Sequence, residues 1–204
     1  MPVWFVAAFV PMVASQIVRL HQHDAAWWLV CDYAGRIGAL AVIAAFPGAR
    51  AIAFARVPLR VGWREAAALA VELIVVTVLL LEKLEPIIVH HIADHQIGAV
   101  PVPIGAWRVI DMTIGLALAT FHEEVVFRRC ARSVFGRTLG DGWRMIAASA
   151  LLFAAYHWWT GIANIAVVAI FGVAAMLIYR RIGSLWPLVL AHDLIDLVVF
   201  YLWP

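Results

Sequence analysis

The apolar stretch Phe121–Arg128 contains two adjacent glutamates, Glu123 and Glu124, and ends in an arginine four residues after the second. Residues four apart share a helix face, so Glu124 and Arg128 can form an ion pair while Glu123 points about 100° away. A charged side chain at bilayer depth costs about 3 kcal/mol on insertion scales, so ionisable groups there are candidates for function. Glu123 is therefore a candidate general base. A structural ion pair that only positions the helix is the alternative.

Two later apolar stretches also carry ionisable residues. His157 follows Phe153 by four positions, and His192 precedes Asp196 by four. His192 and Asp196 therefore lie one turn apart on one helix face and can approach the same ligand atom. A base, two imidazoles and a polar partner are the groups needed for hydrolysis by carboxylate-activated water. Each histidine taken singly also fits a hydrogen-bonded interior residue.

A helical hairpin turning near Gly140 would bring the first two of these stretches together. Glu123 and His157 each lie about 14 residues from such a turn, or about 21 Å of helix at 1.5 Å per residue. The two side chains would then be level. We therefore expect a solvated cleft that joins Glu123, His157 and His192.

The composition indicates the environment in which these groups act. The chain of 204 residues is 65% hydrophobic and 14% charged, against about 45–50% and 25% in soluble domains. We therefore predict an all-α fold, a polytopic transmembrane helical bundle in contact with the lipid bilayer. The net charge of +2 is too even to favour nucleic acid. Cys31 and Cys130, the two cysteines, form neither a disulfide framework nor a zinc motif.

About 20 apolar residues cross a bilayer, and seven stretches approach that length. They are 3–20, 26–46, 65–84, 107–134, 143–159, 162–180 and 185–203. Pro11 is expected to kink the first span. We predict three spans and a surface loop (86–106) in residues 1–106, and a catalytic core of four spans in residues 107–204. The histidines of this loop could suggest metal binding, but ordinary solvated side chains are favoured, and no metal or cofactor is expected.

Arginines in three loops on one side of a seven-span arrangement predict which end faces the cytoplasm. They are Arg50, Arg56, Arg60 and Arg64; Arg129, Arg132, Arg137 and Arg144; and Arg180 and Arg181. The N-terminus is predicted inside, as a retained first span, and the C-terminus outside. Short loops and the lack of an organellar signal favour a prokaryotic plasma (inner) membrane.

Other polar residues in apolar stretches have weaker expectations. Asp32 and Arg36, four apart, are expected to form a buried structural pair. Asp111 and Asn164 are candidates to line a cavity. The neighbours of the motif residues, such as His122, should point away from the site.

Three motifs occur in order: Glu123-Glu124-x-x-x-Arg128, Phe153-x-x-x-His157 and His192-x-x-x-Asp196. They resemble the motifs of the CAAX protease and bacteriocin-processing family, the intramembrane glutamic endopeptidases also called ABI or Rce1-like. The likeness covers residues 107–203, and it includes the approach to the last motif, Tyr179–Pro187. It implies an endopeptidase that cuts a membrane-anchored protein or peptide without a cofactor.

The resemblance also implies roles for individual residues. Glu123 would activate water with the help of His157, and Glu124 and Arg128 would orient the site. His192 and Asp196 would form the pair that stabilises the oxyanion. Asp196 can donate a hydrogen bond only if protonated; if ionised, it would orient His192 and leave that imidazole as the donor. The second role is favoured.

Two other functions are compatible with the sequence. The first is a zinc metalloprotease with Glu123, His157 and His192 as ligands, although the sequence contains no His-Glu-x-x-His pair. The second is a non-catalytic membrane protein, such as an immunity factor, a scaffold, or a transporter that uses the polar centre as a proton path.

Overall fold

The computed structural model describes residues 1–22, 24–92 and 101–202. In these ranges the chain forms eight continuous helices and no β-strand, which confirms the all-α prediction. The helices are α1 (Val3–Arg19), α2 (Ala25–Ala45), α3 (Pro47–Ala53), α4 (63–91), α5 (105–139), α6 (Trp143–Tyr156), α7 (Ile162–Ile182) and α8 (186–202). They contain four π-helical segments: Leu80–Leu84 in α4, Asp111–Gly115 and Val125–Cys130 in α5, and Val198–Leu202 at the end of α8.

Each predicted span coincides with a helix, and α3 is an additional short helix. The largest difference is at α4, which continues through Pro86 to His91, whereas we expected a loop from residue 86. The π-helical segment Leu80–Leu84 ends two residues before Pro86. A proline ring clashes with the carbonyl four residues earlier in a regular helix, and a π-bulge relieves such a conflict. The rest of the predicted loop, including Asp94 and His95, falls largely outside the described residues.

Two helices, Ala25–Ala45 and Ile162–Ile182, are long and apolar enough to cross a bilayer, with mean hydropathies of 1.4 and 2.4. The apolar helices Val3–Arg19 and Trp143–Tyr156 are shorter. Large apolar side chains such as Val71 and Val75 on α4 face outward. The seven-span arrangement and its orientation stay predictions.

Helices α1 and α2 pack closely through two glycines of α2. A Cβ atom at Gly35 would lie 2.0 Å from Oγ of Ser15, and one at Gly38 would lie 2.9 Å from Cβ of Pro11. Only glycine therefore permits this approach. The contact matters for the site because Arg36, next to Gly35, reaches from α2 to α5.

Helix α5 lies at the centre of the bundle and contacts α2, α3, α6 and α8. Its middle section is fully enclosed, with Val125, Val126 and Phe127 at 0% exposure. A turn at residues 140–142 joins α5 to α6, and Gly140 has a φ of +78° that favours glycine. This is the hairpin predicted from the spacing of Glu123 and His157. Helix α8 packs against α4 and α5 and completes the site.

Candidate active site

The carboxylate of Glu123 is buried between three helices. Its Oε1 accepts a hydrogen bond from Nη1 of Arg36 on α2 at 2.7 Å. Its Oε2 lies 3.8 Å from Nε2 of His192 on α8. One oxygen is therefore held by a guanidinium, and the other faces the histidine. Glu123 indeed points away from the Glu124–Arg128 pair, as the helical spacing predicted.

Glu124 connects α5 to α8. Its Oε1 lies 3.0 Å from Nδ1 of His192, and its Oε2 lies 3.2 Å from Nε of Arg128. A carboxylate can only accept, so Nδ1 of His192 carries the proton in this hydrogen bond. The predicted Glu124–Arg128 ion pair is therefore present, and Glu124 also fixes the ring of His192.

Arg128 is fully buried at 0% exposure and makes no hydrogen bond to any described residue. The carboxylate of Glu124 balances its charge. Its guanidinium carbon also lies 4.4 Å from the ring centroid of Phe153 and 5.5 Å from that of Phe171. Aromatic faces attract a cation through their quadrupole, so Arg128 joins α5 to α6 and α7.

His157 directly follows Tyr156, the last residue of α6. Its Nδ1 lies 2.9 Å from the backbone oxygen of Phe153. A carbonyl can only accept, so Nδ1 carries a proton and the neutral ring keeps its lone pair on Nε2. His157 therefore offers an acceptor nitrogen beside the other site residues.

Asp196 lies near the imidazole of His192 but makes no hydrogen bond to it. Its Oδ1 is 3.8 Å from Nε2 of His192, beyond the usual limit for hydrogen bonding. The expectation that an ionised Asp196 orients His192 therefore differs from the observed geometry, in which Glu124 makes the orienting hydrogen bond. The reason is tertiary, because α5 packs against α8 on the Nδ1 side of the ring.

A cavity of about 420 Å³ joins these groups. Glu123, His157, His192 and Asp196 all line it, so the expected shared cleft is present. Asp111 and Asn164, the two candidates for lining residues, also contribute. Glu124 and Arg128 lie behind this surface and support it. Both side chains have 0% exposure. Glu123 therefore faces the cavity, and Glu124 does not.

The expected Asp32–Arg36 pair is present, with Nε of Arg36 2.7 Å from Oδ2 of Asp32. The contact from Arg36 to Glu123 was not expected from the sequence. Arg19 on α1 adds a second ion pair to Asp32. The sequence feature that pointed to a role for Arg36 was its position in an apolar span, since buried charges need partners. The spacing of four residues identified only Asp32 as a partner.

His122, beside Glu123, has 0% exposure and neither ring nitrogen has a hydrogen-bond partner among the described residues. It does not line the cavity, in agreement with the expectation that it points away. No group of three or more His, Cys, Asp or Glu side chains within the described ranges is arranged to hold a metal ion. The ligand set of the zinc alternative is thus not assembled there.

The chain was compared with protein-family models, curated proteins and solved structures. Residues 105–198 match the family model for type II CAAX prenyl endopeptidase Rce1-like proteins. No curated protein and no solved structure matches the chain. The matched segment contains all three motifs and every predicted site residue, so the resemblance inferred from the motifs is confirmed. Over these residues, which run from the start of α5 into α8, the chain matches the Rce1-like family of CAAX proteases.

Proposed function

We propose that this protein is an intramembrane endopeptidase in which Glu123 activates a water molecule to cleave a peptide bond. The observation that carries the proposal is the shared cavity, where the Glu123 carboxylate lies among His157, His192 and Asp196. Groups with these chemistries at one cavity wall fit general-base hydrolysis. The family match supports peptidase activity.

In the proposed reaction, water attacks the scissile carbonyl carbon and gives a proton to Oε2 of Glu123. This is the oxygen that Arg36 leaves free. Nε2 of His157 accepts a hydrogen bond from the same water and orients it. The tetrahedral intermediate then breaks its carbon–nitrogen bond, and the proton held by Glu123 passes to the leaving amine. The products are a carboxylic acid and an amine.

His192 is the proposed donor to the oxyanion. Its Nδ1 already donates to Glu124, so Nε2 must carry a second proton to donate. Oxygens of Glu123, Glu124 and Asp196 lie within 3.8 Å of its ring nitrogens. Their negative charge favours the imidazolium form. Glu124 and Arg128 hold the ring in place, and Asp196 balances its charge.

The proposed substrate is a membrane-anchored or membrane-associated protein or peptide. The cavity has apolar walls beside its polar centre, including Val167, Val168 and Phe171 of α7. Such walls suit a chain that reaches the site from the bilayer. The family description names CAAX prenyl endopeptidases, so a prenylated CAAX peptide is the first substrate to test.

The direct test replaces Glu123 in protein reconstituted into lipid vesicles. Glu123→Gln keeps the side-chain shape but cannot take the proton, so cleavage of a prenylated CAAX peptide should fall at least about 100-fold. Glu65→Gln is the matched control, because Glu65 is an exposed residue paired with Arg181. Full cleavage by the Glu123→Gln variant would disprove the proposed mechanism.

The two alternatives predict other results. A zinc enzyme would contain stoichiometric metal and would lose activity on chelation, whereas the proposed mechanism is insensitive to a chelator. A non-catalytic factor would keep its biological activity after Glu123→Ala. The arrangement around Glu123 favours catalysis over a non-catalytic role, since a purely structural glutamate has no need of a cavity lined by two histidines.

A further inference from the structure

The strongest feature outside the family motifs is the ion pair between Arg36 and Glu123. Arg36 lies on α2, well before the matched residues 105–198. It is 8% exposed and its Nη1 is 2.7 Å from Oε1 of Glu123. Its nearness to the backbone oxygen of Ala119, at 3.4 Å, adds a second contact with α5. A residue of the N-terminal helices thus holds the proposed base directly.

Arg36 is itself held by a buried row of alternating charges. Nε of Arg36 donates to Asp32 at 2.7 Å, and Asp32 also accepts from Arg19 of α1. The guanidinium of Arg19 lies 4.5 Å from the ring of Trp28 and 4.8 Å from that of Trp159. Each buried charge in the row has an opposite charge beside it, as burial requires. The row ends at Glu123.

The two carboxylate oxygens of Glu123 have different surroundings. Oε1 is occupied by a guanidinium that has little freedom to move, so the carboxylate plane is fixed. Oε2 remains free on the side of His192. A cation in contact with one oxygen favours the ionised carboxylate in an apolar interior, where an isolated charge is strongly disfavoured.

We propose that Arg36 is a positioning residue for the hydrolytic reaction: it keeps Glu123 ionised and directs Oε2 into the cavity. The N-terminal helices then contribute a residue to the active site. Asp32 and Arg19 hold the guanidinium of Arg36 in position. This inference rests on the proposed role of Glu123 as the base.

Several charged or titratable groups surround Glu123, and each of them influences its ionisation. They are Arg36 of α2, His157 at the end of α6, His192 and Asp196 of α8, and Glu124 and Arg128 of α5 itself. Arg36 is the cation with direct hydrogen-bond contact. Removing it should therefore alter the protonation of Glu123 more than a change at the other positions.

The test compares Arg36→Gln, which removes the charge, with Arg36→Lys, which keeps it. In Arg36→Gln, kcat at neutral pH should fall at least about tenfold, and KM should change little. The acidic limb of the kcat/KM profile should move up by about one pH unit or more, as expected when a carboxylate loses a contacting cation. Arg36→Lys should restore most of kcat and the position of the limb.

Arg129→Gln is the matched control, since Arg129 donates to the backbone oxygens of Ala53 and Ala55 and lies outside the cavity. If Arg129→Gln weakens the fold, it should lower activity at all pH values without moving the acidic limb of the kcat/KM profile. If Arg36→Gln fails to fold, the charge-balanced double variant Asp32→Asn/Arg36→Gln takes its place. Arg36→Gln or that double variant with a wild-type pH profile would overturn the inference.

An infrared measurement reads the same property without substrate. In an infrared pH titration, Arg36→Gln should show a carbonyl stretch of a protonated carboxyl group in addition to any band of wild type at the same pH, and adding Glu123→Gln should remove this additional band. Absence of this band would contradict the proposed role of Arg36. Inactive wild-type protein, or an active Glu123→Gln variant, would instead refute the proposed function, so the two failures are distinguishable.

Discussion

Glu124 Oε1 and His192 Nδ1 lie 3.0 Å apart, although the residues are separated by 68 positions in the chain. The contact joins the first motif to the third. The same carboxylate also lies 3.2 Å from Nε of Arg128. Glu124 therefore orients the imidazole of His192 and also neutralises the charge of the buried Arg128. Glu124 thus supports the site from behind, and its neighbour Glu123 faces the cavity.

We expect His192→Gln to lower kcat about 100-fold, because loss of one oxyanion donor costs about that much in other hydrolases. The side chain lines a cavity, so the folded state should survive. Steady-state kinetics in vesicles would measure the change. His21→Gln, at an exposed histidine, is the control and should retain wild-type rates. A drop confined to KM would argue against a role in transition-state stabilisation.

We expect Glu124→Ala to destabilise the fold by about 3–5 kcal/mol, since it leaves the charge of Arg128 buried without a counter-ion. Thermal unfolding in detergent would show the loss. Glu65→Ala breaks an exposed pair with Arg181, which should change stability by at most about 1 kcal/mol. Equal stability of the two variants would mean that Arg128 finds another partner.

Gly172 tests the packing of α7 against α6. A Cβ atom there would lie 3.1 Å from Cα of Ala150, a backbone atom that cannot move aside. Gly172→Ala should therefore destabilise by about 1–3 kcal/mol. At Gly136 in α5, a Cβ would meet no atom within 4 Å, so Gly136→Ala should be neutral or stabilise by about 0.4–1 kcal/mol. The unfolding midpoint should fall for Gly172→Ala and should stay the same or rise for Gly136→Ala.

Asp141, in the turn between α5 and α6, gives a pH-dependent contribution to stability. The hydrogen bond from Arg132 holds the pKa of this carboxyl below its ordinary value of 3.8. A lowered folded-state pKa stabilises the fold at pH values above 3.8, and this contribution disappears as the pH falls through the folded-state value. The side chain is 48% exposed, so the effect should stay below about 1 kcal/mol.

The check is the difference in unfolding midpoint between wild type and Asp141→Asn as a function of pH. It should be small and constant near neutrality and should shrink in strong acid. A difference that grows as the pH falls would contradict the assigned direction.

Much of the architecture could be predicted from local patterns. Apolar stretches of about 20 residues located the long helices, because apolar runs and helix-breaking residues can be recognised in the local sequence. Spacings of four gave the Asp32–Arg36 and Glu124–Arg128 pairs, which the structure contains. The continuation of α4 through Pro86 was not predicted, since a π-helical turn leaves no simple pattern in sequence.

The sequence by itself determined the helices, the family motifs and the i,i+4 pairs, because these depend on residues close in the chain. Tertiary structure decided the partners across the bundle: Arg36 with Glu123, 87 positions apart, and Glu124 rather than Asp196 as the residue that orients His192. Which charges meet depends on how each helix is rotated about its axis and where the helices cross. Close packing sets both, so no local spacing reveals them.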